Sequence, residues 1–227
     1  LVWDQDTKRL FENGVDNGVL YVIGNTGEYG KGVAWDGLTK VSESPEGAEA
    51  TAKYANNKKY LNLRSDERFK GQISAFTYPS EWNKCQGKLS PMTNVSGSKK
   101  ELAGVTVSGQ ARSNFGLSYR TRIGNDTEGL DYGYILHLVY SASAGVSSKE
   151  YQTINESPDA LEFSWDFETV PVAVPGMKPT AHVEFNSTLV DKDKLAELEK
   201  KIYGSADSEP TLPTPEEVFT TLGLVAG

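Results

Sequence analysis

Residues 160–170, ALEFSWDFETV, alternate apolar and polar side chains almost without a break. Leu161, Phe163, Trp165 and Phe167 fall on one side of an extended chain. Ala160, Glu162, Ser164, Asp166 and Glu168 fall on the other. A period of two fits a pleated strand and no helix. Burying each large apolar side chain is worth roughly 1.5–3 kcal/mol, so this strand can anchor a sheet-based core while its carboxylate row stays in water. Phe115–Ile123 repeats the pattern, with Phe115, Leu117, Tyr119 and Ile123 set against Ser118, Arg120 and Arg122. So do Ala181, Val183 and Phe185, alternating with His182 and Glu184. Tyr132–Tyr140 (YGYILHLVY) is apolar on both faces, as a central strand is. Val19–Ile23, Lys59–Arg64 and Lys70–Tyr78 are further strand candidates, the last two joined by a polar turn. The expected fold class is mainly β (α+β).

Helical signals are few and clear. Over Asp191–Tyr203, Asp191 can cap the first turn, Leu195, Leu198 and Ile202 form a narrow apolar stripe, and Lys200 and Lys201 suit the negative C-terminal end. Gly204 supplies the stop. The narrow stripe predicts a helix lying across one face of a sheet. Thr214-Pro215-Glu216-Glu217 has the form of a capping box with proline in the first turn. It launches a second short helix presenting Val218, Phe219 and Leu222. Pro79–Gln86 predicts one or two helical turns in which Trp82 and Cys85 share a face.

These signals divide the chain into an arm over residues 1–18, a β domain over residues 19–204, and a C-terminal extension over residues 205–227 whose first part, 205–213, has linker composition. The arm carries Val2, Trp3, Leu10 and Phe11 in a stretch too irregular to bury them locally, so it is expected to dock on its own domain or on a neighbouring subunit. Trp35–Asn57 is long, polar and weak in strand or helix signals, and loops of that length are usually functional. Trp35, Leu38, Val41 and Tyr54 give it something to bury. Ser90–Gly109, rich in Ser, Gly and Lys, is expected to be a mobile loop.

Composition narrows the function. The 227 residues carry 23 Lys+Arg against 31 Asp+Glu, a net charge of −8, which does not suit tight binding of phosphate backbones. Such a surface serves solubility, or lets nucleic acid pass without sticking. A single cysteine, Cys85, allows no internal disulfide. No apolar run reaches the roughly 18 residues of a spanning helix, and the first residues lack a signal-peptide pattern, so a soluble protein of a reducing cytoplasm is expected. The glycines of Gly24–Gly32 are not a phosphate loop. Asn25 and Gly32 stand where that motif needs Gly and Ser or Thr around Gly30-Lys31. The carboxylates of Asn125–Asp131 follow no EF-hand spacing. His137 lies within an apolar strand and is expected to be a packing residue; His182 belongs to no metal-binding spacing. Glu162, Asp166 and Glu168 share a strand face, ordinary for a wet surface. No catalytic, cofactor or metal residue is therefore assigned.

Several stretches resemble the major tail tube proteins of long-tailed bacteriophages and prophages of Gram-positive bacteria. They are Val33–Leu63, the YPSEW that follows, Phe115–Gly129 (FGLSYRTRIGNDTEG), YGYILHLVY, TINESPDALEFSWDFETVPV and DKDKLAELEKKIYG. Together they run through most of the chain, with 90–109 the least typical part. The resemblance implies a tail-tube-type β-sandwich or barrel with a flanking α-helix, forming hexameric rings that stack into a hollow virion tail assembled in the bacterial host cytoplasm. It implies no enzymatic activity and no cofactor. The implied partners are further copies of the chain, the tape-measure protein, the tail terminator, the distal tail and baseplate proteins, and double-stranded DNA in transit without specific binding. Six subunits each lending about four strands at ~4.8 Å spacing would close a channel near ~40 Å across, wide enough for a duplex. The expected assembly residues are then Val2, Trp3, Leu10, Phe11, Trp35, Leu38, Val41, Tyr54, Val218, Phe219 and Leu222. The candidates for the lumen wall are Glu162, Asp166, Glu168, Arg120 and Arg122, the arginines requiring carboxylate partners if they are not to hold phosphate. The alternative, from another class, is a glycan-binding β-sandwich module using Trp3, Trp35 or Trp82 as stacking platforms. Four Asn-x-Ser/Thr sites, at Asn94, Asn125, Asn155 and Asn186, would matter only in a secreted eukaryotic chain.

Overall fold

The computed structural model describes residues 1–6, 8–47, 50–64, 67–95, 97–153 and 160–223. Its strands are β1 (Phe11–Val22), β2 (Val33–Ala34), β3 (Leu38–Glu43), β4 (Ala50–Ala55), β5 (Lys58–Arg64), β6 (Lys70–Ala75), β7 (Lys88–Leu89), β8 (Met92–Val95), β9 (Ser98–Glu101) and β10 (Val107–Ser108). They continue as β11 (Phe115–Asn125), β12 (Gly129–Ala144), β13 (Phe163–Thr169), β14 (Val172–Val174), β15 (Met177–Thr180) and β16 (His182–Asn186). Helices are α1 (Trp82–Cys85), α2 (Lys192–Tyr203) and α3 (Pro215–Leu222). The chain is mainly β with flanking helices.

One antiparallel sheet organises the molecule in the order β2-β1-β11-β12-β13-β6-β3, with β16 also paired to β12. β12, the strand apolar on both faces, is its hub. One edge of β12 pairs with β11. The other is shared, with β16 opposite Ile135–Val139 and β13 opposite Ala142–Ala144. At the changeover Ser141 has a φ of 47°, a left-handed conformation that costs a non-glycine residue about 1–2 kcal/mol. The register with β11 shifts there as well. Such a bulge bends a strand and re-aims its edge. The Ser141 N–H donates to the Tyr29 hydroxyl at 2.9 Å and the Ser141 carbonyl accepts from Val170 N–H at 3.1 Å, so the kink has partners on both of its backbone groups.

The sheet then curls into a sandwich-like body. β1 and β3 lie far apart in the strand order, yet they touch. The Trp35 N–H donates to the Gly18 carbonyl at 2.8 Å and the Leu38 side chain lies over Gly18. Inside are Leu20, Trp35, Ile73, Trp82, Cys85, Phe115, Leu117, Trp165 and Phe167. The Trp82 ring sits 4.8 Å from that of Phe115 and 5.4 Å from that of Trp165, so the alternation of β13 and the shared face of α1 both feed this core. A Cβ at Gly71 on β6 would collide with the Ser42 carbonyl and the Phe167 ring; the close approach of those two groups requires glycine. A second core covers the outer side of β1, β12 and β16, where Tyr21, Leu136, Leu138 and Phe185 meet Leu195, Leu198 and Ile202 of α2 and Val218 and Leu222 of α3. Asp191 caps α2, accepting from Asp193 and Lys194 N–H, and the Thr214–Glu217 capping box starts α3.

Several expectations are corrected. Trp35–Asn57 is no loop: it contains β3, which joins the main sheet, and β4, which pairs with β5. β5 and β6 are not partners; β6 lies between β13 and β3. Ser90–Gly109 holds the β8–β9 hairpin, and β10 pairs with β7. Residues 11–18 belong to β1, so the free arm is shorter than 1–18. Residues 205–213 are not a tether. Gly32 N–H donates to the Pro210 carbonyl and Thr211 N–H to the Lys201 carbonyl, each at 2.8 Å, and Leu212 is buried. Asn155 lies outside the described residues, as does 224–227 of the C-terminal extension.

Candidate functional site

The residues expected at subunit contacts divide into two groups. Val2, Trp3, Leu10, Phe11 and Tyr54 are exposed. Trp35, Leu38, Val41, Val218 and Leu222 serve the chain's own cores and are withdrawn as contact residues. Trp35 is buried, its indole N–H donating to the Thr77 carbonyl at 3.0 Å. Leu38 and Val41 pack on the same core because β3 pairs with β6 and turns that face inward. Val218 and Leu222 are the buried face of α3, and Phe219 beside them is partly covered. Burial of Trp35 and Trp82 also removes two of the three stacking platforms for a glycan; Trp3 is exposed.

The lumen candidates occupy different surfaces. On β13, Asp166 accepts from Gln72 at 2.8 Å and Glu168 lies 3.9 Å from Lys70, while Glu162, just before the strand, accepts from the Thr39 hydroxyl. This row faces outward. Arg120 and Arg122 project toward the α2 side of β11, and Asp16 bridges them, 3.1 Å from Arg120 Nε and 2.6 Å from Arg122 Nε. Arg120 further stacks over the Tyr134 ring at 4.6 Å, and its side chain is only 16% exposed. Arg120 is therefore withdrawn from any channel wall, since α2 and its aromatic neighbours cover it.

The most prominent exposed feature is the β4–β5 hairpin. Among the described residues its strands pair only with each other. Asn56 and Asn57 turn it with φ values of 50° and 59°, the two-residue primed turn for which asparagine is suited. Tyr54, Tyr60, Leu61 and Leu63 lie exposed along it.

At the open end of the inner core, β3, β12 and β16 bring together a group that the sequence did not assign: Glu43, His137, His182 and Glu184. His137 sits opposite Glu184 in the ladder, and His182 shares Glu184's face two residues earlier. His137 Nδ1 lies 3.2 Å from His182 Nε2 and 3.6 Å from an oxygen of each of Glu43 and Glu184. His137 Nε2 lies 3.1 Å from the Thr121 hydroxyl. The Tyr119 hydroxyl donates to Glu43 at 2.6 Å, and the Tyr119 ring stacks on His137 at 4.5 Å. Phe69 stacks on His182 at 4.2 Å. Burial, then the adjacent His182, push His137 down to about 4 against the pull of Glu43, and burial lowers His182 as well. Glu184 is raised by burial and by the nearby Glu43 and Glu12 carboxylates. Both imidazoles are thus neutral near pH 7, facing two carboxylates that crowd each other. The missed signal was His182-x-Glu184 on one strand face; its partners, 137 and 43, become neighbours only once the register is known.

No described helix is long and apolar enough to cross a membrane. Compared with known protein families and with curated proteins, the chain matches no family and no relative.

Proposed function

We propose that the chain is a structural subunit that joins copies of itself into hexameric rings, stacked as the tail tube of a long-tailed bacteriophage. The observation that carries the reading is the β4–β5 hairpin. A lone two-stranded hairpin is marginal in water, and this one displays Tyr54, Tyr60, Leu61 and Leu63 to solvent. A second subunit covering that surface accounts for both facts. The exposed arm with Val2 and Trp3 offers a second contact. Among the described residues β2 covers only Val19 and Leu20 of β1 and Trp35 N–H holds the Gly18 carbonyl, which leaves the first half of β1, Phe11–Asp16, as a strand edge that a neighbouring copy can extend. The resemblance of the sequence to tail tube proteins points the same way.

In this reading the outward acidic row of Glu162, Asp166 and Glu168, along β13 and the residue before it, is the candidate channel surface, and six copies of a −8 chain repel a passing duplex. The tape-measure, terminator and distal tail proteins are the further partners. The test is light scattering with negative-stain microscopy of the purified chain across a concentration series. Rings or tubes are expected, together with no more than weak, salt-sensitive DNA retention. A monomer at every concentration overturns the proposal.

A further inference from the structure

We infer that Glu43, His137, His182 and Glu184 form a binding site for one divalent first-row transition ion, of which zinc is the representative. Each residue offers one ligand atom, and the four atoms lie within 4.8 Å of one another. A tetrahedral zinc ion with ligands at about 2.0–2.1 Å separates them by about 3.4 Å. The separations from His137 Nδ1, at 3.2, 3.6 and 3.6 Å, bracket that value. Small side-chain rotations bring the remaining pairs to it.

The surroundings match what a bound ion needs. Thr121 sits at 3.1 Å from His137 Nε2, where its hydroxyl can accept the Nε2–H of a histidine that ligates through Nδ1; metal-bound histidines almost always have such an outer partner. Tyr119 does the same for Glu43 by donating to its carboxylate. Two neutral imidazoles and two carboxylates neutralise a divalent charge. They also favour zinc and its neighbours over calcium or magnesium, which take oxygen ligands. Without an ion, the two imidazole nitrogens at 3.2 Å must share one proton, and Glu43 and Glu184 repel. The histidine side chains are 5% and 12% exposed, whereas Glu43 and Glu184 are 34% and 52% exposed, so an ion can enter past the carboxylates. Bound there, it ties β3 to the β12–β16 pair, two parts of the sheet that no ladder joins directly.

The site lies within one chain and stands apart from the assembly proposal, so the test uses dilute chelator-treated protein. Isothermal titration with zinc should give one ion per chain and a raised melting temperature. Cobalt(II) should give the intense visible absorption of a tetrahedral complex. Glu184→Gln, at a half-exposed position that leaves folding intact, should weaken zinc binding by at least about tenfold. His182→Gln, checked for native circular dichroism, should abolish the cobalt spectrum. Absence of stoichiometric zinc uptake overturns the inference. So does uptake that both variants leave unchanged, or equal binding of calcium.

Discussion

The Tyr21 hydroxyl donates a 2.6 Å hydrogen bond to the Ile202 carbonyl, fastening β1 to the last turn of α2. Both residues are fully buried, and burial pushes the Tyr21 phenol well above its ordinary range. The carbonyls of a final helical turn have no partner within the helix, so this one is supplied by a strand. Tyr21→Phe keeps the ring and deletes the donor. It should destabilise the protein by about 1–3 kcal/mol, the cost of an unsatisfied buried acceptor, as a lower urea midpoint with an unchanged slope.

Asp16 binds two guanidinium groups at once, so its loss should exceed the loss of either partner. Asp16→Ala should cost about 1.5–3 kcal/mol, because Arg120 is left largely covered and without its nearest carboxylate. Arg122→Ala should cost less, since Arg122 is 38% exposed and water replaces the lost ligand. Chemical denaturation of both variants checks the order.

Burial raises the Cys85 thiol to about 12 from an ordinary value near 9. Native protein at pH 8 should therefore resist a thiol reagent, and urea-unfolded protein should react fully. The linkage has a definite sign. The unfolded thiol ionises above about pH 9 while the folded one keeps its proton, so this contribution is complete below pH 9 and is lost progressively toward pH 12. Cys85→Ala should flatten that part of the stability–pH curve, measured by urea titration at each pH.

Surface substitutions distant from packing usually change stability by less than about 0.5 kcal/mol. Tyr60→Asp combined with Leu63→Asp on the hairpin should keep the native melting temperature and abolish polymerisation. Removing residues 1–10, which precede β1, should likewise leave a folded chain and weaken assembly. Sedimentation velocity of each variant reads both outcomes, and unimpaired tubes would remove the altered segment from the account.

Legibility in the sequence tracked how local each signal was. The Asp191 cap, the Leu195–Leu198–Ile202 stripe and the Thr214–Glu217 box lie within a few residues of what they control, and each occupies the element expected. Trp165 and Phe167 could be assigned to a core from alternation alone. β5 is legible as a strand over Lys59–Arg64, but its partner is not: β4 carries weak strand signals, and the Asn-Asn turn between them is a weaker marker than Asn-Gly. Trp35 looked like a contact residue because nothing local shows that β3 folds back over Gly18. The same blindness hid the Glu43–His137–His182–Glu184 group. Four residues drawn from three strands acquire a common address only through ladder register, and His137 in an apolar run resembled a packing residue until Glu184 was found opposite it.

The forked edge of β12 makes alignment errors self-defeating. A strand that slips by one position along a single neighbour turns its side chains to the opposite face and can survive as a misfolded alternative. Here one residue of slippage would unseat two partners together, rotating His137 away from Glu184 at one end while pulling Ala142 off Thr169 at the other. The kink at Ser141 marks the point where that edge passes from one partner to the other, so both alignments are referred to the same residue.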